Sequence, residues 1–369
     1  MNDIPKSSYS GQATALSQFS PEGAAQSRLL SQMANAAQKA ADARIETISS
    51  RYAGQINAAT RDAAAWKDLA TDVGKATSDL SGHVGNLKSM RSRIDSMLGS
   101  VNKAGQRDVD GEYVNPAAYA KGFDALLKSL HESAVKGGKQ PNMLGSDNAS
   151  YSYRVGIHGQ TNKVQGAYLG SEYSITDTEG KKWVADLSGG LLRRYDDYSG
   201  TQAAESGNFN DGIRLDSRSG SDLTFTIAPN TADPKQFTGT LETKGLGLVH
   251  SWYYDGLSTE EGRSRATAAL NDAKEAINLE ISRYELSLTT AKFYENRANL
   301  EAKGYREKAS ALNIESAQEI AKAQEELSRQ YSAAQGVVAQ ALAQKVNYAK
   351  IFQSIGGSAF GNKLVNILT

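Results

Sequence analysis

The chain has no cysteine, which excludes zinc ribbons, disulfide scaffolds and thiol nucleophiles. That absence suits a protein that works outside the reducing cytosol without disulfides. Proline is scarce, six in 369 residues, and none follows Pro234. Aromatic residues are also few, at 8%. Neither sign of charge is in excess: 41 basic residues balance 41 acidic ones, whereas a nucleic-acid binder carries a basic excess or stripe. No run approaches the roughly 18 apolar residues of a membrane span, so no membrane insertion is expected. The opening residues, MNDIPKSSYSGQATALSQFS, lack the basic, apolar, small order of a signal peptide. If the chain leaves a cell, the expectation is a route that removes no leader.

What is present falls into three zones. From about Ser20 to Leu130 the pattern is helical. Apolar positions run Trp66, Leu69, Val73, Ala76, Leu80, Val84, Leu87, Met90, Ile94, Met97 and Val101 in steps of three and four, a coiled-coil-like seam. At 1.5 Å per residue the seam predicts a rod of roughly 50 Å. Gly74, Gly82 and Gly85 each weaken that helix by up to about 1 kcal/mol, so the seam needs a partner. Asp110-Gly111 and Asn115-Pro116 punctuate a turn. A shorter amphipathic helix follows with Phe123, Leu126, Leu127 and Leu130, ending at Gly137-Gly138.

Between about Ser146 and Asp255 the period changes to two. Tyr151, Tyr153, Val155 and Ile157 alternate with polar residues, as do Leu223, Phe225 and Ile227, predicting half-buried strands. Glu179-Gly180 and Asp211-Gly212 are candidate turns. From Leu257 the helical period returns. Ser258 to Glu261 fits a capping box, and a second seam runs Leu270, Ala273, Ile277, Ile281, Tyr284, Leu288, Ala291, Tyr294 and Ala298, continuing through Tyr305, Ala309 and Leu312.

Two rods at opposite ends of a chain bury their seams most economically against each other; pairing of each seam with its own copy is the other solution. The predicted fold is α+β, with the N- and C-terminal long helices paired as a coiled-coil rod and an antiparallel β-rich domain inserted at the tip. The expected divisions are 1–48, 49–145, 146–256, 257–319 and 320–369. The outermost stretches, Ala24–Ile48 and Ile320–Val346, are alanine-rich. Alanine buries little beside the roughly 1.5–3 kcal/mol of a buried Leu or Ile. These ends are therefore expected to be marginal alone and to order on assembly.

Ile45-Glu46-Thr47-Ile48-Ser49-Ser50, then Ile56-Asn57-Ala58 and Asp62-Ala63-Ala64, resemble the I-E-x-L-S-S, I-N-x-A and D-A-A-G blocks of the bacterial flagellin family. The gap after Ser50 is longer by about two residues, and Ala65 stands where the family has Gly. Asn86-Leu87-Lys88-Ser89-Met90-Arg91 resembles N-L-Q-x-x-R. Pro141-Asn142-Met143-Leu144-Gly145, leading to Tyr153-Arg154-Val155-Gly156, is similar to the passage from helix into β-hairpin. Leu257-Ser258-Thr259 before Ala268-Ala269-Leu270-Asn271-Asp272-Ala273 resembles the start of the family's C-terminal rod, and Val337-Val338-Ala339-Gln340-Ala341 is similar to V-L-A-Q-A. The expected D-A-D-Y-A is poorly matched by Ile314-Glu315-Ser316-Ala317, and the tail after Ala341 is long.

The resemblance implies a secreted structural subunit that polymerises into the extracellular flagellar filament, a type III export substrate met first by an export chaperone and later by cap and junction proteins. It implies inner-tube contacts at Leu29, Met33, Ile45, Val337, Val338 and Leu342. Bend and rod contacts would involve Ser49, Ser50, Ile56, Asn57, Asp62, Trp66, Leu87, Arg91, Ile277 and Ile281. The hook–filament junction protein shares the terminal pattern, and a coiled-coil injectisome tip or binding module is the rival from another class.

No residues point to an enzyme, a cofactor or a metal. His83, His131, His158 and His250 share no ligand spacing, and Val135 stands where a zincin helix begun at His131-Glu132 needs its second His. Gly-rich phosphate loops and a nucleophile elbow are missing. Asp196-Asp197 reads as a solvated loop rather than a cation site. The 17 tyrosines suit strand and rod packing; the competing reading is a sticky or glycan-contacting face.

Overall fold

The computed structural model describes residues 21–136, 141–187, 189–196 and 203–356. The chain divides into two compact units, Met1–Ala64 with Glu301–Thr369, and Ala65–Leu300. Helix α1 spans Pro21–Ala104, α2 Pro116–Val135 and α3 Glu260–Gly356. Nine strands lie between α2 and α3.

In the unit Ala65–Leu300, α1 and α3 pair antiparallel through the two seams. Val73, Ala76, Leu80, Leu87, Met90, Ile94 and Met97 are fully buried, as are Leu270, Ile277, Tyr284, Ala291 and Ala298. Trp66, Leu288 and Tyr294 pack at the margin. Polar contacts fix the register: Asp95 accepts from Lys274 at 2.6 Å, Lys88 donates to Glu285 at 2.7 Å, and His83 lies 5.7 Å from the Tyr284 ring. A Cβ on Gly74 would meet Glu295 of α3 at 3.2 Å. From Asp95 back to Gly74 the partner therefore advances from Lys274 to Glu295, the same number of residues in reverse. The exposed ion pairs set register and contribute only about 0–1 kcal/mol each. The seam residues supply the energy.

The turn before α2 is fixed by its own residues. Gly111 takes φ 84°, and Asn115, at φ 47°, accepts from the Ala118 N–H through its side chain, so it caps the helix that Pro116 begins. α2 buries Phe123, Leu127, Leu130 and Ala134. The segment Gly137-Gly138 lies outside the described residues.

β1 (Ser150–Arg154) and β2 (Thr161–Gln165) form a hairpin. The expected strand through Val155 and Ile157 stops earlier. The Val155 N–H turns to the Gln160 carbonyl, and Gly159 sits at φ 86°, so the chain reverses after Arg154. The remaining strands are β3 (Ser171–Asp177), β4 (Lys182–Asp186), β5 (Leu191–Tyr195), β6 (Glu205–Asn208), β7 (Ile213–Ser219), β8 (Asp222–Ile227) and β9 (Lys235–Gly245). They make one antiparallel sheet in the order β6-β5-β4-β3-β9-β8-β7. Both expected turns, Glu179-Gly180 and Asp211-Gly212, fall between strands. β3 alternates strictly, with Ser171, Tyr173, Ile175 and Asp177 on the buried face. Beside them Trp183 meets Phe225 and Phe237 edge-on, at 5.2 and 4.8 Å between centroids, and the two Phe rings lie tilted to each other at 5.9 Å. Asp177 anchors the β3–β4 turn, taking hydrogen bonds from Arg194 (2.7 Å), Trp183 (3.2 Å) and the Glu179 and Lys181 N–H groups. β9 ends at Gly245, whose φ of 69° and 2.1 Å clash between a built Cβ and the Gly170 carbonyl admit no other residue.

A 3₁₀ segment, Ser251–Leu257, joins the sheet to α3. It places Trp252, Tyr253 and Tyr254 in the core, with Tyr254 edge-on to Phe123 of α2. Here the capping expectation needs correction. The Ser258 hydroxyl donates back to the Asp255 carbonyl at 2.5 Å, and α3 starts one residue later, with Thr259 Oγ1 accepting from the Gly262 N–H at 2.9 Å. Ser258 is spent on closing the 3₁₀ turn, so Thr259 becomes the cap.

In the other unit the same two helices pair through a much smaller core, Ile48, Tyr52 and Ala323 with Ile45, Ile56, Leu312 and Ile320 at its edge. Tyr52 donates to Glu319 at 3.0 Å, and Arg51 and Arg44 pair with Glu319 and Glu326.

The seam and the bare glycines make opposite predictions. Leu87→Ala should cost about 2–5 kcal/mol through lost burial and a cavity. Gly85→Ala, whose added Cβ meets nothing within 4 Å, should stabilise the chain by about 0.5–1 kcal/mol. Urea unfolding midpoints check both, and a destabilised Gly85→Ala would contradict the open space over that residue.

Candidate assembly surfaces

The sequence-predicted contact residues separate by burial. Leu29, Met33 and Val337 are exposed, Ile45 and Val338 half-buried, and the side chain of Leu342 lies outside those described. Val346, Tyr348 and Ile351 are also exposed on α3. Met33 lines a shallow recess with Ala34, Ala37, Gln330, Tyr331 and Ala334.

Ser49, Ser50, Ile56, Asn57 and Asp62 lie inside the uninterrupted helix α1, with Ser49, Ser50 and Asn57 exposed and Ile56 and Asp62 half-buried. No helix break marks any of them. Leu87, Ile277 and Ile281 are seam residues, fully or nearly fully buried, and Trp66 flanks the seam. Arg91 is half-buried, its guanidinium 3.4 Å from the Asn278 side-chain oxygen across the pair. The prediction thus mixes two classes: open positions that can meet another molecule, and core positions that hold this one together.

One exposed set was not anticipated. Leu279, Leu286, Phe293 and Leu300 are 69%, 70%, 61% and 70% exposed on α3. They recur every seven residues, a spacing legible in the sequence but off the seam and therefore passed over.

Polar constellations offer little chemistry. His131 accepts from the Ser171 N–H at 3.2 Å, and Glu132 pairs with Lys136 one turn on. His250 is stacked on Phe209 at 3.7 Å and hydrogen-bonds Tyr173 at 3.0 Å; burial pulls its pKa down to about 3, so it stays neutral. Asp196 is exposed and 3.6 Å from Lys181, while Asp197 lies outside the described residues. Among the described residues no group of three His, Cys, Asp or Glu is placed to hold a metal ion, and no helix is long and apolar enough to cross a membrane.

Asp124 was also missed, since a lone acid on a helix carries no pattern. It is buried on α2 and accepts from both the Ser251 N–H and the Ser251 hydroxyl at 2.7 Å, locking α2 to the 3₁₀ segment. Burial pushes its pKa up to about 7 against the pull of those two hydrogen bonds.

No protein-family model and no curated protein sequence matches the chain. Among solved structures it is similar to a crystal structure of Xanthomonas campestris FlgL, with 12% identity over 74% of this chain and 98% of that one, and a TM-score of 0.19. At that score the two do not superpose as one fold, and no residue here takes a role from it.

The Asp124 lock predicts a pH dependence. Its folded pKa lies above the unfolded value of about 3.9, so the folded chain holds a proton the unfolded chain has released. The stability this gives is complete below about pH 4 and is lost as pH rises through about 7. Relative to Asp124→Asn, the wild type should lose on the order of a few kcal/mol between those values in urea titrations. Parallel pH profiles for the two would refute the assignment.

Proposed function

We propose that the chain is an axial structural subunit of a bacterial flagellum, polymerised through its helical faces, without catalytic activity. The observation that carries this reading is the pair of long helices, drawn from opposite ends of the sequence, on which Leu29, Met33, Val337, Val346 and Tyr348 are exposed. A chain that folded for its own sake alone would bury or replace such side chains. Assembly covers them at roughly 1.5–3 kcal/mol for each one fully buried. The flagellin-like blocks at both ends, in family order, support the flagellar assignment. The filament subunit and the hook–filament junction protein both fit, and an export chaperone, cap proteins and further copies of the chain are the partners this reading calls for. The β-rich domain, inserted between the helices, is then the surface-facing part.

Seeded assembly separates the readings. Purified chain at raised salt, given filament fragments as nuclei, is expected to form long helical tubes in electron micrographs, and a version truncated after Glu319 none. Short stacks or rings would favour the junction protein. Intact chain that stays monomeric under every condition would sink both. Leu29→Asp with Val337→Asp should leave unfolding within about 0.5 kcal/mol of wild type, as exposed substitutions do, while cutting polymer yield at least tenfold.

A further inference from the structure

Two faces of the unit Ala65–Leu300 point away from its own core and match each other. On α3, Leu279, Leu286, Phe293 and Leu300 stand open at seven-residue intervals. Between them at the same interval lie Ser282, Thr289 and Asn296, all exposed and uncharged. A strict seven-residue apolar repeat is the pattern that selects a helix as partner, because a second helix supercoiled about the first tracks it. On α1, Ser78, Gly82, Gly85, Ser89, Ser92 and Ser96 are all exposed and follow steps of four, three, four, three and four. A Cβ built on Gly82 or Gly85 meets nothing within 4 Å. Those six positions form a trough that carries only serine and glycine over a length of about 27 Å, against about 31 Å for the apolar row. One large side chain reaches them, Arg93, whose guanidinium donates to the Ser89 hydroxyl at 2.8 Å.

Gly82 and Gly85 each cost about 1 kcal/mol of helix stability relative to alanine, and among the described residues nothing lies within 4 Å of a Cβ built on either. Small residues admit large ones in knobs-into-holes packing. The row and the trough cannot meet within one copy, since α1 and α3 are already joined through their seams. The charges at their margins are engaged within the chain: Arg93 donates to Ser89 and Ser129, and Lys88, Asp95, Lys274 and Glu285 form ion pairs.

We propose that the Leu279–Leu300 row of one copy seats in the Ser78–Ser96 trough of a second copy. This rests on the self-assembly reading above and names the surfaces it uses. The contact is heterologous, donor face to acceptor face, and such contacts propagate as rings or filaments rather than closing as two-fold dimers. Four such side chains offer roughly 400–500 Å² of apolar surface, below the roughly 800 Å² per partner of a stable pair. The contact is therefore weak singly and effective when each copy makes it twice in a polymer.

The cysteine-free sequence allows a direct test. Leu286→Cys chain is mixed in turn with chain carrying Cys at Ser78, Gly82, Gly85, Ser89, Ser92 or Ser96, assembled, and oxidised. Mixed disulfide dimers are expected at one position or at two positions a turn apart. Polymer that forms with no mixed dimer in any of the six mixtures overturns the proposal while leaving the assembly reading intact. If wild-type chain forms no polymer, the assembly reading fails, and the same mixtures oxidised as concentrated soluble chain still read the contact, with no mixed dimer again overturning it. Leu286→Lys with Phe293→Lys, which should keep the wild-type circular dichroism melt, is expected to raise the critical concentration for assembly at least tenfold, and an unchanged value counts against the proposal.

Discussion

Everything in the unit Ala65–Leu300 depends on one constraint, the antiparallel burial of two apolar seams that no single helix can satisfy. α1 carries glycine and serine along its length, and its intrinsic helicity is modest. What holds it is the row from Leu69 to Val101, sealed against Leu270 to Ala298. Pairing also settles where the inserted residues go. The end of α1 and the start of α3 must emerge together, so the chain between them is a closed excursion. α2, the sheet and the 3₁₀ segment fill it.

The excursion shares the seam's hydrophobic core, with Phe123, Trp183, Phe225 and Trp252 among its buried members, and a few buried polar contacts pin its elements together. Asp124 clasps Ser251, Tyr173 bridges His250 and Trp252, and Asp177 gathers Arg194, Trp183 and two backbone N–H groups. Each buried acid is fully engaged, which is what makes its burial tolerable. The strained link at Asp255, Gly256 and Leu257, all at positive φ, is held by Arg263 donating to the Leu257 carbonyl and Arg265 pairing with Asp255. That local expense lets α3 leave in the direction its seam demands.

The unit Met1–Ala64 with Glu301–Thr369 shows the opposite balance. Among the described residues its core is Ile48, Tyr52 and Ala323 with a thin margin, its ion pairs with Glu319 and Glu326 are exposed, and several of its large side chains are open. Surface ion pairs of this kind contribute little alone. A helix pair with so little internal cover is suited to being completed by neighbours, which is the basis of the proposed polymer role.

Both long helices, the change of period at Ser146, the turns at Gly180 and Gly212 and nearly every seam residue were legible in the sequence, because helical and strand periods are local records of which face will be buried. The resemblance segments lay there too, although the resemblance by itself grouped seam residues such as Leu87 and Ile277 with open ones such as Leu29 as contact positions. Tertiary structure alone decided that the seams meet in one chain, that Thr259 rather than Ser258 caps α3, and that Asp124 is a clasp and not a surface acid. It also showed that a second heptad row on α3, Leu279 and Leu286, stays open while the seam row through Ile277 and Tyr284 faces α1. Periodicity states that a face will be covered; only the register of the partner helix determines which face that is.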